Sequence, residues 1–141
     1  MYIKKITYTD FDGNSNTEEF YFNLTETELT RLNASYEGGL SYYINKIIRS
    51  GDNLKIMPLF EELVLSSYGE KSSDGKRFIK SDLLKEEFKQ TMAYDTLMCE
   101  LLGDSTGATA MDFVMHILPK DKAEKARAEM LKGEFPAKPE N

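Results

Sequence analysis

The stretch Asn23-Leu24-Thr25-Glu26-Thr27-Glu28-Leu29 constrains this chain most, because it fixes where a strand must end and a helix must begin. It follows the strand formers Phe20, Tyr21 and Phe22. The Thr25 hydroxyl can accept from the Glu28 N–H while the Glu28 carboxylate reaches back to the Thr25 N–H, which is the capping-box spacing. Leu24 and Leu29 stand one residue before the cap and four after it, where a hydrophobic staple places its two apolar partners. The architecture can be read outward from this junction, although the junction itself carries no chemistry.

Upstream, residues 2–9 are rich in β-formers, with Tyr2, Ile6 and Tyr8 on one face, and 17–23 form the return strand with Phe20 and Phe22 facing one way. Between them Asp10-Phe11-Asp12-Gly13-Asn14-Ser15-Asn16 is a dense turn signal, since Gly and Asn tolerate positive φ and Asp bonds nearby backbone. A hairpin alone is marginal in water. Its aromatic face must therefore lie on the helices that follow.

Helical periodicity and stop signals predict helices over 26–34, 40–50 (with Tyr43, Ile44, Ile47 and Ile48 inward, stopped by Gly51) and 52–68. The third carries the stripe Met57, Phe60, Leu63, Val64 and Ser67, with Pro58 either marking its start at Met57 or costing one backbone bond. Residues 70–80 read as an exposed excursion pinned by Phe78 and Ile79. Ser81 or Asp82 then caps the longest predicted helix, to Leu102, whose Leu84, Phe88, Met92, Cys99 and Leu102 share a face. A fifth helix starts at Asp104 or Ser105 and runs through Met111, Phe113, Val114, Ile117 and Leu118 to Pro119. The expectation is an α+β fold: an N-terminal β-hairpin (1–24) packed on a bundle of about five α-helices (25–118). A charged peripheral helix (119–132) completes one domain over 1–132, and a Pro-containing disordered C-terminal tail (133–141) follows.

Charge and cysteine usage exclude several function classes. The net charge is −6 with an isoelectric point near 4.9, which argues against nucleic acid, whose binding draws on a basic face. Cys99 is the sole cysteine, so neither an intrachain disulfide nor a cysteine-based metal site is available. No apolar run has the ~18 residues a membrane span needs, and the start Met-Tyr-Ile-Lys-Lys lacks a signal-peptide core. The reading is cytoplasmic, with no membrane partner.

Asp10-Phe11-Asp12-Gly13-Asn14 is the most tempting chemical motif. A strand running into Asp-x-Asp-Gly resembles the opening of haloacid-dehalogenase-like (HAD-like) phosphatases, with Asp10 as nucleophile and Asp12 as acid/base. It also resembles half a calcium loop. The phosphatase needs a parallel sheet, and no further strong strand is evident after residue 23. The calcium loop needs a bidentate Glu where Tyr21 stands. A wide hairpin turn explains these residues. Cys99 and the sole His116 lie in apolar helical stripes and read as structural. Glu61-Glu62 and Glu86-Glu87 read as solvated helix faces, because helix neighbours diverge by ~100°, and Gly38-Gly39 as a helix-to-helix break. No catalytic, cofactor-binding or metal residues are assigned, and no cofactor is expected. Seven Met, eight Phe and eight Tyr in a chain without Trp could be core, or an adaptable apolar surface that re-packs around partners.

Several segments together resemble a known family. Asp10-Phe11-Asp12-Gly13-Asn14, Phe20-Tyr21-Phe22-Asn23-Leu24-Thr25, Glu28-Leu29 and Gly38-Gly39-Leu40 are similar to segments of small phage tail assembly chaperones. So are Ser67-Tyr68-Gly69-Glu70-Lys71-Ser72 and the run Asp74-Gly75-Lys76-Arg77-Phe78-Ile79-Lys80-Ser81. Such proteins occur in tailed phages and prophages of Gram-positive bacteria, and the resemblance spans residues 2–118. It implies a cytosolic, non-enzymatic assembly factor, absent from the virion. It would bind the tape-measure protein, keep it soluble while tail tube subunits assemble, and self-associate or act beside a frameshifted longer form. A groove between the third, fourth and fifth predicted helices would hold the client. The alternatives are a structural tail or head–tail component and the HAD-like phosphatase using Asp10 and Asp12.

Overall fold

The computed structural model describes residues 1–122. Alternation in β1 (Tyr2–Thr9) sends its even residues to the core, and β1 pairs antiparallel with β2 (Ser15–Phe22), setting Tyr2 opposite Phe22 and Ile6 opposite Glu18. The turn is built by Asp10. One of its carboxylate oxygens accepts the N–H groups of Asp12 and Asn14, each at 2.9 Å, and the other accepts Asn16 Nδ2 at 2.7 Å. Gly13, at φ +84°, supplies the left-handed residue that closes it.

The sheet does not stop at the hairpin. β3 (Tyr68–Lys71) and β4 (Phe78–Ile79) extend it in the order β1-β2-β3-β4, all antiparallel. The expectation of no strand after residue 23 is therefore corrected. Phe78 and Ile79 do pin the 70–80 segment, as half-buried residues of a second hairpin. These strands are four and two residues long, too short for periodicity to announce them. Tertiary pairing creates them: Tyr21 lies opposite Gly69 and Phe22 opposite Tyr68.

The capping box forms as its spacing requires. Glu28 N–H donates to Thr25 Oγ1 at 3.2 Å and Thr25 N–H to Glu28 Oε1 at 3.0 Å, opening α1 (Glu26–Ser35). α2 (Leu40–Ser50) ends at the left-handed Gly51. α3 (Asn53–Ser67) starts behind the cap Asp52 and contains Pro58, so the Leu54 carbonyl lacks its usual helical N–H partner. Of its expected stripe, Met57 is exposed and Leu59 is buried instead.

The predicted long helix is two. α4 (Asp82–Lys89) and α5 (Met92–Gly103) are separated where Thr91 turns extended; its hydroxyl donates to the Phe88 carbonyl and accepts the Tyr94 N–H, capping α5. The break re-phases the buried face to Ala93, Leu97, Met98 and Leu101 and leaves Cys99 exposed. α6 (Ala108–Ile117) begins later than expected, because the Asp104 carboxylate gathers the N–H and hydroxyl groups of Thr106 and Thr109 into a loop. The described residues thus hold α1 to α6, with residues 120–122 also helical, and the expected hairpin packed on a helical bundle is the fold. Beyond Lys122, the peripheral helix expected over 119–132 and the tail over 133–141 lie outside the described residues.

Helices cover one face of the sheet, burying Ile6, Phe20 and Phe22 with Phe60, Leu63, Phe88, Leu97 and Phe113. Each such side chain contributes about 1.5–3 kcal/mol on burial. Tyr68 and Phe88 stack at 4.2 Å between ring centroids, and Phe113 meets Phe22 edge-on at 5.7 Å. The opposite sheet face, carrying Ile3, Lys5, Glu19, Tyr21 and Lys71, is left to solvent, as antiparallel sheets permit.

Candidate interaction surface

Asp10 and Asp12 stand at the exposed tip of the first hairpin, and both Asp10 oxygens are occupied by the turn. Those same bonds, chiefly the Asn14 N–H and the Asn16 amide, hold the Asp10 carboxyl below its usual range. The group is an anion that builds the turn, with both oxygens engaged by it. The sheet behind it is antiparallel, so the phosphatase scaffold is missing as well.

His116 and Cys99 depart from expectation: both are exposed rather than set in the buried stripe. α6 turns Phe113, Val114 and Ile117 inward, which places His116 about a quarter turn away. Its Nδ1 lies 2.7 Å from the Asp112 carbonyl and 3.3 Å from the Asp112 carboxylate. Among the acidic pairs, Glu61 binds Lys89 at 3.0 Å, Glu62 accepts the Tyr36 hydroxyl, and Glu86 accepts the Gln90 amide at 3.0 Å. Gly38 and Gly39 form the anticipated break between helices, at φ +82° and +90°. Among the described residues no group of three or more His, Cys, Asp or Glu could hold a metal ion.

The expected groove between the third helix, the long predicted helix and the next is filled. Phe60, Leu63, Val64, Phe88, Leu97, Leu101 and Phe113, which would have lined it, form the core against the sheet. Apolar surface lies elsewhere. On the first turns of α3, Leu54 is 88% exposed and Met57 53%, one turn apart and therefore on one side of the helix. Leu83 on α4 (67%) and Phe11 at the hairpin tip (81%) are single exposed residues. Ile3 faces solvent beside Tyr21, over whose ring the Lys71 ammonium sits 4.7 Å from the centroid.

Lys80 is the residue that sequence reasoning missed. Its ammonium donates to Glu28 Oε2 at 2.6 Å, to the Asn23 carbonyl at 2.7 Å and to the Ser66 carbonyl at 3.0 Å. It thereby ties the end of β2, the α1 capping box and the end of α3 together. Burial pushes its pKa down against the pull of Glu28. Burial would raise the Glu28 carboxyl, but the Lys80 and Thr25 hydrogen bonds outweigh that and hold it below its usual range. A lysine closing an otherwise turn-forming segment immediately after Phe78-Ile79 was the available signal.

A helix-backed antiparallel sheet, with Asp10 spent on a turn, Glu28 on a cap and two neighbouring apolar side chains exposed on α3, makes this a small α+β protein. The chain matches the family model described as phage tail assembly chaperone over residues 1–141, and it belongs to that family. This is a family of non-enzymatic chaperones, and membership implies tail-protein partners and action in the host cell. No curated protein and no solved structure matches the chain. No described helix is long and apolar enough to cross a membrane.

Proposed function

We propose that this chaperone binds the tape-measure protein in the host cytoplasm and keeps it soluble while the tail tube assembles. Family membership supports the reading, and the observation that carries it to a surface is the exposed pair Leu54 and Met57. A flexible Met beside a projecting Leu suits a client presenting varied apolar side chains. Each contact is small and weak. Several copies along one long client supply the strength by avidity.

The test is co-expression with the neighbouring tape-measure gene, with and without Leu54→Asp/Met57→Asp. Soluble client should require the wild-type protein and be lost with the double variant. Equal client solubility without the chaperone would end this reading. Peptides of this chain in purified virions would instead make it a structural tail component.

A further inference from the structure

Residues 70–80 are fastened to the rest of the protein at few points. Tyr68 and Gly69 just before them are buried, but from Glu70 through Lys80 no residue is. The segment bonds mainly to itself. Ser72 N–H donates to the Arg77 carbonyl at 2.9 Å, Arg77 N–H to Ser72 Oγ at 3.0 Å, and Lys76 N–H to the Asp74 carboxylate at 3.0 Å. Glu70 pairs with Ile79 and Lys71 with Phe78, so β4 meets only β3.

What holds this segment to the body is unequal in strength. The Phe78 ring rests on Gly69, its Cε2 2.7 Å from where a Cβ would stand. The Lys71 ammonium lies 4.7 Å from the Tyr21 ring centroid, a contact worth little at an exposed site. Ile79 is half-buried. Lys80 differs in kind, because its three acceptors on Glu28, Asn23 and Ser66 all belong to the body. An ammonium bonds a carboxylate more strongly than a neutral donor does. Few buried contacts and a largely exposed, self-bonded backbone mark a segment that opens at lower cost than the core.

We propose that residues 70–80 are a strap that opens and closes as one unit, with Gly69 as its hinge and Lys80 as its latch. On opening, Lys80 leaves its three acceptors to water and Phe78 lifts from Gly69. The two-pair ladder between β3 and β4 then melts, since so short a hairpin does not persist alone. α3 and α4 hold the two ends of the strap, so the core stays folded. Opening bares Gly69 and the Tyr21 ring on the outer face of the sheet, which Phe78 and Lys71 cover when the strap is closed. The device needs no client and does not depend on the Leu54 and Met57 surface.

Residue-resolved amide hydrogen exchange of the full chain, in buffer and in low concentrations of urea, tests this. Four amides report on the strap: Ser72 and Arg77, whose bonds close it, and Glu70 and Ile79, which alternation makes the next bonded pair. They should share one opening constant and one shallow urea dependence. Their protection should be at least ~10-fold below that of Leu97, buried in α5. Lys80→Met should lower it by roughly a further 10-fold or more, because opening no longer breaks a charged, triply bonded contact. Strap amides as protected as Leu97 would overturn the proposal, since they would then open only with the whole fold. So would four unrelated rates, which mean fraying from the tip. A Lys80→Met variant that exposes Leu97 faster but leaves the strap amides unchanged would show the strap opening with Lys80 still in place, and would overturn it too. If Lys80→Met fails to fold, Glu28→Gln, which removes the carboxylate facing the ammonium, is read in the same way.

Discussion

Lys80 Nζ lies 2.6 Å from Glu28 Oε2 across a sequence separation of 52 residues, and the same ammonium holds the carbonyls of Asn23 and Ser66. One side chain thus joins the exit of the first hairpin to the α1 cap and to the end of α3. Replacing it by Met should cost about 2 kcal/mol, because a half-buried carboxylate and two carbonyls lose a charged donor. Thermal melts of Lys80→Met against wild type check this.

The pair also predicts the acid limb of stability. The Glu28 carboxyl is held below its usual range in the fold, so its contribution is complete above the ordinary carboxylate pKa. It is lost as pH falls through the lowered folded value. Glu28→Gln should flatten the fall in melting temperature on acidification.

Tyr68 and Tyr94 contribute to the opposite limb. Burial, reinforced by Glu70, Glu18 and Glu87, pushes Tyr68 up to about 12, and burial with Glu61 does the same for Tyr94. A raised tyrosine pKa means stability complete below the ordinary value of 10.0 and lost as pH rises towards 12. Phenolate absorbance should therefore show these two groups ionising together with alkaline unfolding. Phe88→Ala, which removes the ring stacked on Tyr68, should cost roughly 3–5 kcal/mol by denaturant titration.

Gly69 admits no side chain. A Cβ there would sit 2.7 Å from Phe78 Cε2 and 2.9 Å from the Ile79 carbonyl oxygen. Gly69→Ala should push β4 away from β3 and cost about 1–3 kcal/mol, the usual range for overpacking. Chemical shifts of Phe78 and Ile79 should move most.

Leu54→Asp/Met57→Asp should separate binding from folding. Both side chains project from α3, so the stability change should stay within about 0.5 kcal/mol per site. Client solubilisation should nevertheless fall.

The hairpin, the capping box and the bounds of α2 were legible because each is written locally: alternation at Tyr2, Ile6 and Tyr8, reciprocal bonds between Thr25 and Glu28, a stop at Gly51. Three features were not. β3 exists through pairing with Tyr21 and Phe22, and β4 through pairing with Glu70 and Lys71 of β3, which no local pattern encodes. The α4–α5 break rests on Thr91, a residue ordinary enough inside a helix, and missing it rotated the expected face of Cys99 and Met92. The client groove was placed on stripes that were amphipathic because they are core. A buried stripe and a binding stripe have the same period, and only packing separates them.

Leu24 N–H donates to the Ile117 carbonyl at 2.8 Å, and Asn23 N–H to that of Ser67. During synthesis the first strands leave the ribosome long before either acceptor exists, and a hairpin by itself scarcely persists in water. The aromatic face of β2 must wait, solvated, until nearly the whole described chain has emerged. The nascent form of this chaperone-family protein thus passes through an exposure of its own apolar face.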